Sequence, residues 1–278
     1  MNYEKGVMLY KVFEESECEQ LQSEFHKTLS ELPEFKPSSR EKEIETLGGF
    51  GAIGGNPSVY HHPFFRKLRS QITDEFTQQI AIPLVKQLEL PNNTKIQTLF
   101  DRPAKRHKSQ KAQAEGFHRD VAPKSCISEG DIIMGGWCNI GPEIQSFTYV
   151  PYTHLDASLY DVSHNPGFHK ITSKEYIQQL NQMKETIHIP VGYAIAFPQH
   201  IIHTVIGTPA KCTGLRQFIG FRITTSDSSL FDQDEIIQNQ GVPFLPSGQT
   251  PRIYSQNHGS CFIEKQFNPI PNQKEYKV

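Results

Sequence analysis

Gly116-Phe117-His118-Arg119-Asp120 is the stretch on which the reading of this 278-residue chain turns. In an extended strand, residues i and i+2 face the same way, so His118 and Asp120 can grip one ion while Arg119 points away. A third donor stands far downstream, His203, in Phe197-Pro198-Gln199-His200-Ile201-Ile202-His203. Two imidazoles and one carboxylate leave three positions of an octahedral ion open. That is the pattern of a non-haem Fe(II) site that activates oxygen. The triplet alone arises easily by chance, and in a chain with 12 histidines a single one is more often structural. Its weight comes from what surrounds it.

Around it the chain breaks into short apolar and β-branched runs, at residues 95–100, 131–140, 145–150, 186–189, 193–197, 203–206 and 217–225, separated by Gly, Pro, Asn and Asp. Many short strands at moderate spacing predict a sandwich or barrel of the jelly-roll kind. The run 192–197 leads into a turn at Pro198, and His203 opens the next strand. His200 lies in that turn and is the alternative ligand. Beyond it, Leu215-Arg216-Gln217-Phe218-Ile219-Gly220-Phe221-Arg222 reads as a strand with Arg216, Phe218, Gly220 and Arg222 on one face. An inward arginine is unfavourable unless it meets a carboxylate, which its planar fork suits. A dicarboxylate cosubstrate chelating the metal through its keto-acid end would bring a second carboxylate to Arg216, with Arg222 as the alternative. An ion pair with one of the 30 acidic residues is the structural reading.

The first third is helical. Cys18, Leu21, Phe25, Leu29 and Leu32 recur at helical spacing over 16–32, with Ser16 as N-cap. Pro63 opens a second helix reaching about residue 88, its stripe repeating every four residues through Phe64, Leu68, Ile72, Phe76, Ile80, Leu84 and Leu88; Pro83 should kink it. Thr172-Ser173-Lys174-Glu175 fits a capping box ahead of a third. The glycine cluster over 48–55 lacks the Gly-Lys-Ser/Thr of a phosphate cradle and reads as a loop. Residues 226–278 read as an extended C-terminal wrap, with 246–251, Tyr254 and His258 placed over the barrel mouth as a structural wrap rather than a lid. The expectation is one domain over 1–278: mostly helical support at 1–94, a β core at 95–225, then the wrap.

Hydrophobic residues make up 36% of the chain and the formal net charge is −2, so a packed core is expected and no global field favours nucleic acid or a membrane surface. Five cysteines with no C-x-x-C pair suggest reduced thiols in a cytoplasmic protein. No signal-peptide pattern or membrane-length apolar run is present. One local excess stands out: Arg102, Lys105, Arg106, Lys108 and Lys111, with His107, read as a basic loop ahead of His118. It is either a solvated surface loop or a contact for an anionic substrate, small or macromolecular, such as a nucleic-acid phosphate, a CoA-like group or an acidic peptide. Arg102 and Arg106 are the candidate substrate contacts.

Taken in order, Phe117-His118-Arg119-Asp120, Val150-Pro151-Tyr152-Thr153-His154, Gly192-Tyr193-Ala194-Ile195-Ala196-Phe197 with His203, and then Arg216 resemble the Fe(II)/2-oxoglutarate-dependent dioxygenases, specifically the phytanoyl-CoA dioxygenase-like group. The likeness covers roughly residues 95–225. Where that group has Pro-Gly-Ser-His and Gly-Asp, this chain has Pro-Tyr-Thr-His and Gly-Tyr. The resemblance implies a mainly β fold with flanking helices, a double-stranded β-helix (jelly-roll, cupin-like) barrel supported by N-terminal helices. It implies Fe(II) on His118, Asp120 and His203, and 2-oxoglutarate with its 5-carboxylate on Arg216. It further implies use of O2 to hydroxylate a C–H bond of an unidentified substrate, with release of succinate and CO2. Trp137, Asn139 and Thr148 are then candidates for lining the cosubstrate pocket. Two alternatives stand beside this: a cupin-type metal enzyme that does not use 2-oxoglutarate, and an inactive barrel acting as a binding protein.

Overall fold

The computed structural model describes residues 3–32, 50–53, 59, 62–108, 115–120, 132–156, 169–206, 211–225 and 275–277. Strands β1 (Met8–Lys11), β2 (Gly51–Ala52), β3 (Lys95–Arg106), β5 (Ile132–Asn139), β9 (Tyr193–Pro198), β11 (Gly214–Thr224) and β12 (Glu275–Lys277) form the larger sheet, in the order β1-β9-β5-β11-β3-β12 with β2 also on β3. The smaller sheet has β4 (Glu115–Arg119), β6 (Gln145–Tyr149), β7 (His169–Lys170), β8 (Glu185–Ile189) and β10 (His203–Val205), in the order β7-β4-β10-β6-β8. Every pairing is antiparallel. The fold is mainly β, a two-sheet jelly roll with a few flanking helices, as the spacing of apolar runs predicted.

Alternation along the strands sorts the core into layers. In β9, Ala194 and Ala196 face the helices while Ile195 and Phe197 face the opposite sheet; in β5, Met134 and Cys138 face the helices and Trp137 faces inward. Both faces of the larger sheet are therefore covered, which is why these strands read as nearly continuous apolar runs. The helical layer consists of α1 (Glu15–Glu31), α2 (Pro63–Phe76) and α3 (Ile82–Gln87). Phe25, Phe65 and Phe76 are completely buried there, each contributing on the order of 2 kcal/mol by leaving water. Helix α4 (Lys174–Met183), capped by Ser173 Oγ accepting from the Tyr176 amide, covers the outer face of the smaller sheet through Leu180, against Phe117, Val150, Ile171 and Ile202.

Local chemistry shifts several boundaries. Helix α1 begins one residue before the predicted Ser16 cap, because the Glu14 amide donates to the Glu17 carboxylate. Between α2 and α3 the predicted Pro83 kink takes the form of a π-helical turn, Thr77–Ala81. Such a turn accommodates the ring clash and the missing amide donor. The N-terminal third is not only helical, since β1 pairs with β9 and edges the larger sheet. Strand β3 continues through Arg106, so Arg102, Lys105 and Arg106 lie on a strand and not in a loop; the strand persists because β11 pairs with it from Gly214–Arg106 to Thr224–Lys95. Of the glycine cluster, Gly51 and Ala52 form β2, flanked by Phe50 and Ile53; Gly48, Gly49, Gly54, Gly55, Lys111 and the 246–258 segment lie outside the described residues.

Candidate metal centre

The smaller sheet brings the three predicted ligands together. His118 on β4 stands opposite His203 on β10, with ring centroids 4.2 Å apart. Asp120, just past β4, is pinned where its amide donates to the Gln199 carbonyl at 3.0 Å, and the Gln199 amide in turn donates to the Ile133 carbonyl at 2.9 Å. Its carboxylate reaches both imidazoles: Oδ1 is 3.8 Å from His118 Nε2 and Oδ2 is 3.6 Å from His203 Nε2. One donor atom from each of the three lies within 4.8 Å of the others.

The second contacts of the two imidazoles suit metal binding. His118 Nδ1 is 2.8 Å from the Gly116 carbonyl and His203 Nδ1 is 3.1 Å from the Ile201 carbonyl. A carbonyl only accepts, so each Nδ1 carries a proton and each Nε2, on the side of Asp120, is the atom available to a metal. This is the tautomer that a second-shell carbonyl selects in metal-binding histidines. Both imidazoles are buried while the Asp120 side chain is 33% exposed, so the open side of the site faces outward. The donor set therefore fits an Fe(II)-type ion. His200, the alternative ligand, is turned away: its Nε2 meets the His154 carbonyl at 2.8 Å.

Arg119, which alternation sends to the other side, is the buried clamp behind the site. Its guanidinium donates to the carbonyls of Thr153 (3.0 Å), Asp156 (3.1 Å) and His200. Thr153 ties the same turns together: its hydroxyl donates to the Val150 carbonyl and accepts from the Ile202 amide, one residue before His203. Pro151-Tyr152-Thr153-His154 is thus a positioning turn, with Tyr152 at φ 65° at its apex. Arg119→Met should lower stability by about 3–5 kcal/mol, because two or more buried carbonyls lose a charged donor. Urea unfolding checks it, and a loss under about 1 kcal/mol, the net worth of a single ordinary hydrogen bond, would remove Arg119 from this role.

Two further imidazoles line the clamp. Burial pushes His154 down to about 4, helped by His200 and Arg119, and pushes His200 down to about 4, helped by Arg119 and opposed by its bond to the His154 carbonyl. Both are neutral in the fold and titrate near the ordinary 6.5 when unfolded. Between about 6.5 and about 4 the unfolded chain therefore binds more protons, so stability should fall as pH drops through that window and level off below it. Urea midpoints that stay flat from about pH 7 to about pH 4 would contradict this.

The facing inner surfaces of the two sheets supply the second part of the site. Aromatic rings run inward from His203: Phe147 at 5.3 Å and Phe197 at 5.8 Å, each then meeting Trp137, at 5.5 and 5.9 Å. Past Trp137 lies Arg216. Its guanidinium is held between the Phe50 and Trp137 rings, 3.9 and 4.1 Å from their centroids, and its Nε–H donates to Gln145 Oε1. Among the described residues no carboxylate pairs with it. The residue as a whole is only half-buried, but with both guanidinium faces covered its charge is desolvated. That desolvation, with Arg106 nearby, lowers its pKa to about 9, which leaves it cationic at neutral pH. Among the described residues the Trp137 indole N–H is also buried without an acceptor. Stacked rings leave only the guanidinium edge for a ligand, the approach a planar carboxylate makes.

Other predicted residues have different roles. Asn139 is closed off: its amide donates to the Glu143 and Ile189 carbonyls and accepts from the Gly141 amide and Gln145 Nε2, leaving no capacity for a cosubstrate. It instead braces Gln145, which orients Arg216; sequence reasoning missed Gln145. Thr148 lies on the other face from the inward rings of Phe147 and Tyr149, and its hydroxyl meets that of Thr186 at 2.9 Å. Alternation from Phe147 carried that signal. Arg222 is buried opposite Ile133, further along β11. Arg106 pairs with Gly214, at the Arg216 end of β11, and Arg102 sits opposite Phe218.

No protein-family model and no curated protein matches the chain. Solved structures do. The epimerase SnoN in complex with Fe3+, alpha ketoglutarate and nogalamycin RO has a TM-score of 0.52 at 12% identity, over 79% of this chain and 80% of that one. The non-haem alpha ketoglutarate dependent carbocyclase SnoK from nogalamycin biosynthesis scores 0.49 at 14%, over 79% and 81%. EctD from S. alaskensis with 2-oxoglutarate and 5-hydroxyectoine scores 0.49 at 11%, over 78% and 72%. At such identities the SnoN likeness establishes the fold, the double-stranded β-helix jelly roll.

Proposed function

We propose that this chain is an Fe(II)- and 2-oxoglutarate-dependent oxygenase that hydroxylates a C–H bond. The observation that carries the reading is the convergence of His118, Asp120 and His203, with both Nε2 atoms turned to one carboxylate and one side left open. Arg216 supports the cosubstrate: a desolvated cation with no carboxylate of its own among the described residues, at the inner end of the ring path that starts at His203. The fold is shared with SnoN, whose structure holds Fe3+ and alpha ketoglutarate.

In this reading His118, Asp120 and His203 hold the iron, which supplies oxygen activation coupled to oxidative decarboxylation of the cosubstrate. Arg216 binds the distal carboxylate of 2-oxoglutarate through its edge, Gln145 keeps that edge aimed, and Trp137 offers its indole N–H as a further donor. Phe147 and Phe197 keep water from the inner side of the ligands. The order of the four motifs supports a place in the phytanoyl-CoA dioxygenase-like group. The free thiols of Cys18, Cys138 and Cys212 support a reducing, cytoplasmic setting, and among the described residues no helix is long and apolar enough to cross a membrane.

The test is anaerobic addition of Fe(II) and then 2-oxoglutarate. A weak visible band from the chelated keto acid is expected, followed by succinate on admitting O2. Metal binding without the band would instead favour a cupin-type enzyme that does not use 2-oxoglutarate.

A further inference from the structure

Glu115 and His118 are three residues apart, so in a regular strand they would face opposite ways. They do not here. His118 stands opposite His203 and Glu115 opposite Val205, so three steps of β4 run against two of β10. The extra residue is a bulge, a device that re-aims a side chain. Residues 203 and 205 share a face, and the bulge therefore turns Glu115 onto the face of the metal ligands. Its Oε2 comes within 3.7 Å of His118 Nε2, as near as the Asp120 carboxylate at 3.8 Å. Yet Glu115 is not part of the group whose donor atoms are all mutually within 4.8 Å. It borders the metal position without completing it.

The Glu115 side chain is 47% exposed, and among the described residues no lysine or arginine pairs with it. Across the strand pair, Val205, on the same face as His203, presents exposed apolar surface. Once His118 Nε2 is committed to a metal, the mouth of the site offers an anionic acceptor beside an aliphatic lip. Lys105 and Arg106 lie elsewhere, opposite Leu215 and Gly214 at the Arg216 end of β11, while Lys170, opposite His118 on β7 with its Cε near Gly116, flanks β4 on the side away from β10.

We infer that Glu115 is the specificity-determining residue at the mouth and selects a substrate bearing a protonated nitrogen, an alkylammonium or guanidinium, next to an aliphatic segment that rests on Val205. This rests on the metal-centre reading above. An anionic substrate would meet Glu115 as a like charge.

The experiment uses the full chain loaded with Mn(II). Metal binding is followed by EPR, and proximity of a probe is read from paramagnetic relaxation of its methylene protons. The probes are hexyltrimethylammonium, 1-hexanol and hexanesulfonate. Wild type should favour the cation by roughly five-fold, the upper range of a partly exposed ion pair. Glu115→Gln should bring the cation and the alcohol to parity, and Glu115→Lys should shift preference to the sulfonate. Equal relaxation of all three probes by wild type, or a cation preference retained in Glu115→Gln, would overturn the inference. So would a loss of Mn(II) affinity of about ten-fold or more in Glu115→Gln, which would make Glu115 part of the metal's own shell. Failure of wild type to bind Mn(II) would show in the EPR titration alone, and would overturn the metal-centre reading together with this one.

Discussion

Asp120→Ala is expected to lose metal binding, by at least about 100-fold in Fe(II) affinity, and with it the visible band formed with 2-oxoglutarate. Loss of an outer-shell partner alone weakens metal sites by about 10–100-fold. Asp120 is more than that, being among the described residues the one group that reaches both Nε2 atoms, at 3.8 and 3.6 Å. Removing it also removes the only negative charge in the donor set, leaving two neutral imidazoles to hold a dication. The substitution should be mild for the fold. The Asp120 amide, not its side chain, makes the bond to Gln199, and the side chain is one-third exposed. A circular dichroism spectrum and unfolding midpoint near wild type, combined with lost Fe(II) binding by calorimetry, would be the expected pair of results. Unchanged Fe(II) affinity would sink the centre.

Gln145→Glu is expected to weaken 2-oxoglutarate binding by roughly 10- to 100-fold with metal affinity kept, the range for hydrogen bonds to a charged group. The argument is one of competition. Gln145 Oε1 already accepts from Arg216 Nε, and its Nε2 donates to Asn139 Oδ1 at 2.7 Å. The isosteric carboxylate would give Arg216 an internal counter-anion on the edge the cosubstrate needs. It would also place a carboxylate oxygen against Asn139 Oδ1, where the Gln145 amide now donates. Arg216→Ala should weaken 2-oxoglutarate to a similar extent for a different reason, loss of the cation itself. Titration of the anaerobic band in both variants checks this. If Gln145→Glu binds 2-oxoglutarate as tightly as wild type, the anchor lies elsewhere, and Arg222 becomes the candidate.

Particular residues show how far sequence reading reached. Tyr193 to Phe197 was legible as a strand because a layer covers each of its faces, so nearly every position is apolar. Helix α2 was legible from a stripe repeating every four residues. Strand β1 was not, because four residues of mixed polarity acquire strand character only from the unsatisfied edge of β9. The charged half of β3 read as loop for the same reason, its extension coming from eleven-residue pairing with β11. Thr148 was placed on the wrong face, although period-two alternation from Phe147 would have corrected it. Asn139 was on an inward-facing position, and only its four hydrogen bonds showed that it had no capacity left.

By itself the sequence determined the types of donor atom, their order along the chain, and the class of fold, because periodicity and turn residues are local properties. Only the tertiary structure decided that His203 and not His200 meets Asp120, through the carbonyls of Ile201 and His154 that orient each ring. It also decided that Arg119 is a clamp, that Arg216 is stacked and, among the described residues, without a carboxylate, and that Glu115 faces the metal position. The last depends on one extra residue in the register of two strands, and register is set by pairing across the sheet, which no single stretch of chain contains.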